Sequence, residues 1–370
     1  MPRWLGGGRI SPRTVGVMTS PAHPTVLPPA TCERLEKIVA RHGGSWQFRA
    51  DETRVEYPLP VHASAEIREF LRAQSVINFE PAFVVRLPGG RVFGSGNVLS
   101  PDGHALARDV SPDFGKPFED HWLLAYKKIR PPVAVHGTTA VIATTLGVGY
   151  SHWLLDELPR LLTLNPGDCE TLIAHAANAY NREAFALRGF SGHVIEAKRE
   201  AHFSCEQLIV PSLGRLIPAT IRALREFAAP MIGQEAGFGE CLYLSREKAR
   251  RRRVVNEPEL WTQLAARGFV KLHLEEMTWA QQINAFRTAK LVVAPHGAGL
   301  ANLIFCEPGT KVVELFNRSY VNGCYWQLAA LKDLDYRPVI PLAGEPLGQR
   351  LGLNRLDIAV DVAQVIAALV

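Results

Sequence analysis

The feature that most limits how this chain folds is a rhythm. From Ala140 onward, short apolar runs alternate with amphipathic stretches of helical length. In the second half the runs are CLYLS (241–245), FVKLHLE (269–275), KLVVAP (290–295) and KVVELF (311–316). Between them lie NEPELWTQLAARG (256–268), TWAQQINAFRTA (278–289) and GLANLIFC (299–306). Asn256 and Thr278 stand where helix N-caps belong, and Gly268 where a helix ends. Runs that are apolar throughout are strands covered on both faces, and helices between them dictate a parallel sheet. An earlier series reads the same way: AVIATTL (140–146), TLIAHA (171–176), HVIEAK (193–198) and QLIVPS (207–212), with helices over YSHWLLDELPRLLTL and NREAFALRGF. The fold class expected is α/β, with two Rossmann-like series.

The two series meet at a Gly-rich joint, GQEAGFGE (233–240), after a helix over Pro218–Gln234. Residues 1–110 read differently. They carry one helix, TCERLEKIVARHG, capped by Thr31, and then strand-like text broken by Leu-Pro-Gly-Gly and Pro-Asp-Gly turns. The division expected is a β-rich region over 1–110, a Rossmann-like domain over 111–234, a second over 235–345, and a helical tail over 346–370. The tail, LDIAVDVAQVIAALV, is amphipathic and is expected to pack back across the N-terminal domain or into a dimer, core packing being favoured. Nothing in the sequence sets an oligomeric state.

Composition narrows the function classes. Of 370 residues, 47% are hydrophobic and 21% charged, which excludes disorder. A net charge of +5 favours an anionic ligand but is too small for a nucleic-acid binder. The six cysteines form no CxxC pair and no ligand cluster with histidine, so reduced thiols and no structural metal are expected. No apolar run is long enough for a membrane helix and the N-terminus has no signal-peptide h-region. A cytoplasmic protein is expected, and its mild basicity is compatible with peripheral contact with the inner face of an anionic membrane.

Three motifs carry chemistry. In the first, LVVAP runs into His296-Gly297-Ala298-Gly299-Leu300 and the segment closes on Glu314. Ligands of doubly wound sheets sit outside the carboxyl ends of strands. Glycines there admit a ligand close to the backbone or take φ > 0, and the helix that follows offers free N–H groups to a phosphate. His296 can donate to a phosphate, and Glu314 can accept from a ribose diol. The plain alternative is a tight strand-to-helix turn with a buried histidine.

The second is SREKARRRRVVNEPEL (245–260), which also starts at a strand's carboxyl end. Guanidinium groups pair bidentately with phosphate oxygens and never lose their charge. Four consecutive arginines cannot all face one ligand, so some of them belong to a solvated loop; a nucleic-acid patch is the other alternative. The third is GYSHWLLDELPRL (149–161). Its leucines make a core-facing stripe, while His152, Asp156 and Arg160 fall at i, i+4 and i+8 on another face. Pro159 frees the carbonyl of Leu155 and kinks the helix. A carboxylate beside a histidine suits a general base for a hydroxyl; a surface His–Asp–Arg row is the alternative.

Together HWLLDELPRL (152–161), SREKARRRRVVNE (245–257) and HGAGLANLIFCEPGTKVVE (296–314) resemble, in this order, the motifs of glycosyltransferase family 61. The resemblance covers roughly half of the chain and none of the first 110 or so residues. It implies a GT-B architecture, two Rossmann-like domains facing a cleft. It also implies an inverting, metal-independent transfer from a nucleotide sugar, often UDP-linked, to a carbohydrate acceptor, in bacterial relatives commonly for surface polysaccharide. Carried over by position, Arg246 and Arg252 would hold the diphosphate, with Asn256 and Glu257 orienting that region. His296 and the backbone of Gly297, Ala298, Gly299 and Leu300 would complete the donor site, and Glu314 would hold the ribose. Asp156 would be the base, with His152 orienting it or sharing the role. No cofactor is implied.

Three rival readings follow from the same residues. One is a non-catalytic GT-B-like nucleotide- or glycan-binding protein. Another is a nucleic-acid binder using Arg250–Arg253, which lacks interleaved aromatics. The third is a Rossmann oxidoreductase, which lacks a GxGxxG turn after its first strand.

Overall fold

A computed structural model describes residues 25–113, 116–233, 238–341 and 356–370. Two sheets organise the described chain, as the alternation of apolar runs predicts. The second is all parallel, with strands side by side in the order Val270–Leu272, Cys241–Leu244, Leu291–Pro295, Lys311–Leu315 and Asp335–Val339. Counted along the chain this is the doubly wound order 2-1-3-4-5, which reverses direction between the first and third strands. Val292, Val293, Val312 and Val313 are wholly buried, the reason these strands read as unbroken apolar runs. The fifth strand, Asp335–Val339, escapes a reading by hydropathy. It lies at the sheet edge, where charge and Pro338 are tolerated.

The first sheet has ten strands. His202–Pro211, Val133–Val141, Thr171–Ala174 and His193–Glu196 lie parallel in that order. The strands of the first 110 residues do not make a sheet of their own, apart from the pair Thr53–Glu56 and Val76–Phe79. Ala82–Pro88 and Arg91–Phe93 both run antiparallel to His202–Pro211 and extend the same sheet. The helix expected from Thr31 starts later, at Leu35–His42, because Thr31–Glu33 pairs as a strand with Ala105–Ala107. Thr31 is therefore not its cap. The Leu35 amide donates instead to Asp109 Oδ1 at 2.9 Å.

The two sheets share one apolar core. Trp153, Leu158 and Leu172 of the first half are continuous with Trp279, Phe286 and Trp326 of the second. Trp153 meets Trp279 edge-on at 5.2 Å, and Arg225 donates to the carbonyls of Ile304 and Cys306. Each large apolar side chain so buried contributes roughly 1.5–3 kcal/mol.

Part of the expected helical tail lies outside the described residues. What is described, including the helix Val362–Ala367, packs on its own half and not across the N-terminal domain. Ile358 and Val365 join a cluster with Tyr243, Leu260, Leu264 and Val313. The expected Gly-rich joint also falls partly outside the described residues. Among the described residues, no helix is long and apolar enough to cross a membrane.

Candidate active site

The switch point of the five-stranded sheet lies between Cys241–Leu244 and Leu291–Pro295. The Ser245 and His296 motifs leave those two strands, so both open on the one crevice where ligands of such sheets bind. A cavity of about 600 Å³ occupies it, walled by Arg246, Lys248, Arg250, Gly297, Gly299 and Leu300 among others.

Arg246 is half-buried, and among the described residues its guanidinium donates only to the Arg251 carbonyl, from Nε at 3.3 Å and Nη2 at 3.0 Å. Burial first, and the charge of Arg252 second, pull its pKa down to about 10. Arg252 lies over the Tyr320 ring at 5.5 Å, and its Nε is buried with no hydrogen-bond partner among the described residues. Its φ of 55° is left-handed backbone, which costs a non-glycine residue about 1–2 kcal/mol. Among the described residues neither arginine has a carboxylate within ion-pair distance. Two neighbouring guanidiniums, partly desolvated and without a carboxylate in contact among the described residues, favour the arrival of an anion.

The glycines of the turn serve the protein's own side chains. Gly297 has an extended φ of −179°, and Gly299 is likewise not in the left-handed region, so neither is needed for positive φ. A Cβ on Gly297 would stand 2.4 Å from Arg246 Nη1, and one on Gly299 would stand 2.5 Å from Leu274 Cδ1. The segment that follows, Ala298–Phe305, is a 3₁₀-helix whose first N–H groups still lack intrahelical partners.

His296 and Glu314 are not walls of the cavity. His296 is 4% exposed and Glu314 fully buried. Glu314 Oε1 takes His296 Nδ1 at 2.5 Å and Oε2 takes the Tyr336 hydroxyl at 2.5 Å, so a ribose finds both oxygens occupied. The His296 ring packs against Tyr320, so His296, held by Glu314, lies behind the ring under Arg252. Asn256 is also turned away from the arginine site. Its amide donates to the Val360 carbonyl at 2.9 Å and its carbonyl accepts from the Val360 amide, pinning the C-terminal segment. Glu257 orients the arginine loop, its Oε1 accepting from Ser245 Oγ at 2.6 Å and Lys271 Nζ at 3.0 Å.

In the first half of the chain, His152 Nδ1 and Asp156 Oδ2 are 2.7 Å apart, and both side chains are partly exposed; neither lines the cavity. Arg160 does not extend that row. It is buried, and donates to the carbonyls of Ile142, Ala143 and Pro211, tying together two neighbouring strand ends. Burial lowers its pKa to about 10. Pro159 leaves its mark one turn earlier. Trp153–Glu157 is a π-turn closed by Leu158 N–H to Trp153 O, because the Pro ring crowds the carbonyl four residues back and cannot donate to it.

Sequence reasoning missed two groups. Tyr150 lines the cavity and donates to Asn302 Oδ1 at 2.5 Å, while the Asn302 amide donates to Gln282 Oε1 at 3.0 Å. This chain docks the segment that carries His152 against the second sheet. Glu157 is wholly buried, taking the Thr144 amide and His175 Nδ1, each at 2.7 Å. A signal was present: Trp153, Glu157 and Leu161 share one helix face, and a carboxylate in an apolar stripe must find partners. Among the described residues, no group of three or more His, Cys, Asp or Glu side chains is placed to hold a metal ion.

Crevice, arginine pair and His–Asp pair all fall within or at the edge of one matched segment. Residues 150–313 match the family model Glycosyltransferase 61. That match agrees with the resemblance read from the three motifs; of the residues named there, only Glu314 falls just outside it. The chain is 34% identical over 98 residues to the EGF domain-specific O-linked N-acetylglucosamine transferase of Drosophila melanogaster, covering 26% of this chain and 18% of that protein. It is 32% identical over 63 residues to Beta-1,2-xylosyltransferase RCN11 of Oryza sativa subsp. japonica, covering 17% and 12%. The chain thus spans less than a fifth of either relative.

Proposed function

We propose that this protein is a glycosyltransferase, built in the GT-B manner, that moves a sugar from a nucleoside diphosphate sugar to a carbohydrate hydroxyl with inversion. The observation that carries the reading is Arg246, half-buried in the wall of the cavity at the switch point of a doubly wound sheet and, among the described residues, paired with no carboxylate, with the charge of Arg252 close by. An anionic diphosphate is the ligand that such a pair fits best. The match over 150–313 and the sugar-transferase names of both relatives support glycosyl transfer. UDP as the nucleotide and surface polysaccharide as the product rest on the family resemblance alone.

In this reading Asp156 takes the proton of the acceptor hydroxyl while His152 Nδ1 holds Oδ2 in place. The hydroxyl oxygen forms its bond to the anomeric carbon as the bond from that carbon to the diphosphate oxygen breaks. The electron pair leaves with the diphosphate, and one displacement inverts the centre. Arg246, Arg252 and the amides at the start of Ala298–Phe305 stabilise the charge that develops there, so the chemistry is read as metal-independent. Asp156→Asn tests it, with nucleotide release measured over UDP-, GDP- and CMP-sugars and a panel of glycan acceptors. The expected result is a loss of about 100-fold or more in transfer, with UDP affinity unchanged. Undiminished transfer would remove Asp156 from the role of base. No turnover of any donor by the unaltered protein, alongside firm nucleotide binding, would favour the non-catalytic binding reading.

A further inference from the structure

We infer that a second cavity, in the first half of the chain, docks a neutral carbohydrate, the acceptor of the reaction. The word acceptor rests on the transferase reading above; carbohydrate binding stands on the cavity itself. The cavity encloses about 820 Å³. Five aromatic side chains, Trp46, Phe48, Phe79, Phe83 and Phe118, line it beside smaller aliphatic ones. Phe48 is 56% exposed and Phe118 36%. These are the only phenylalanines among the described residues that stand so open, and both line this one space. Trp46 is held against Phe83 with ring centroids 4.1 Å apart, which fixes part of the wall in place.

Rigid aromatic faces ringed by polar groups suit a sugar, whose C–H faces stack while its hydroxyls take hydrogen bonds at the rim. The rim here carries Arg34, Arg108 and Arg215 against Glu36, Glu80 and Asp109. Arg34 and Glu80 pair at 3.3 Å, and Arg108 lies over the Phe118 ring at 5.7 Å. Three cations meet three carboxylates, so no net field selects an anion, in contrast to the arginine site. That balance points to a neutral glycan.

Position links the cavity to the chemistry. One wall is Leu213, Gly214 and Arg215. A Cβ on Gly214 would stand 2.8 Å from the Leu155 carbonyl oxygen and 2.9 Å from Asp156 Cα. The wall therefore lies directly on the backbone that carries the proposed base, and glycine at 214 is what permits the approach.

The test uses the full chain and its Phe48→Ala variant, with Phe118→Ala as a second variant. Both side chains are exposed, so neither truncation removes core packing. Saturation-transfer NMR and calorimetry would be run with cello-, malto-, xylo- and chito-tetraose as neutral probes and a hyaluronan tetrasaccharide as the anionic one. The expected result is that at least one neutral probe binds, that each variant weakens it about 3- to 10-fold, and that UDP titrates identically in all three proteins. Failure of every neutral probe, preference for hyaluronan, or full binding by both variants would overturn the inference. Neutral-glycan binding without any nucleotide binding would overturn the transferase reading and leave the cavity assignment standing. Nucleotide binding without glycan binding would do the reverse.

Discussion

Arg246→Met is the substitution whose two effects should carry opposite signs. Burial and the charge of Arg252 bring the Arg246 pKa down to about 10, still far above neutral, so the guanidinium stays charged at neutral pH and the fold bears the cost. At about 1.4 kcal/mol per pH unit, that cost is about 3 kcal/mol. Methionine keeps the apolar stem and removes the charge, while losing the hydrogen bonds to the Arg251 carbonyl, about 1 kcal/mol each. The ligand-free variant should therefore melt no lower than the parent, and by this balance up to a few degrees higher. A charge-assisted bond to a diphosphate is worth about 1.5–3 kcal/mol, so UDP affinity should fall by about 10- to 150-fold. Differential scanning calorimetry and titration calorimetry read the two effects on one preparation. A variant that melts several degrees lower and binds UDP as before would show Arg246 to be structural and refute the reasoning.

Two other outcomes follow from the geometry. Gly297→Ala should fold normally, since φ at 297 is −179° and suits any residue, yet its Cβ would displace Arg246 Nη1 and weaken UDP binding; unchanged affinity in titration calorimetry would count against that contact. Burial lowers the His175 pKa, but the hydrogen bond and charge of Glu157 raise it by more, so the folded value stands above the ordinary one. The stability from that pair is complete below pH about 6.5 and fades as pH rises through the folded value, so Glu157→Gln should flatten the fall of Tm above neutrality, and an equally steep fall in the variant would contradict the linkage.

The second sheet was legible because Cys241–Leu244 and Leu291–Pro295 are unbroken apolar runs, Lys311–Leu315 is built on buried Val312 and Val313, and the helix between 278 and 289 carries its own capping box, Thr278 with Gln281. Asp335–Val339 was not, because an edge strand need not be apolar throughout. The N-terminal strands were legible as strands but not as part of the first sheet. Their partner, His202–Pro211, lies more than 100 residues away, and nothing local encodes that pairing. At the site, side-chain type and strand-end position anticipated Arg246 on the cavity wall, and helical spacing anticipated His152 beside Asp156. Periodicity could not say which side chains face inward, so Glu314, Asn256 and Arg160 read as ligands or surface groups although their polar atoms are spent inside the fold. Tyr150 and Asn302, 152 positions apart, pair across the two halves, and no local pattern announces such a bond.

The central claim is that Arg246 and Arg252 make a nucleoside diphosphate site that works through fixed cations. Calorimetric titration of the full chain with UDP, beside GDP and CMP, with and without EDTA, addresses it most directly. The account predicts that a nucleoside diphosphate binds firmly, UDP foremost, that CMP binds more weakly, and that EDTA changes neither. Absence of binding by every nucleotide, or binding abolished by chelation and restored by a divalent cation, would contradict it.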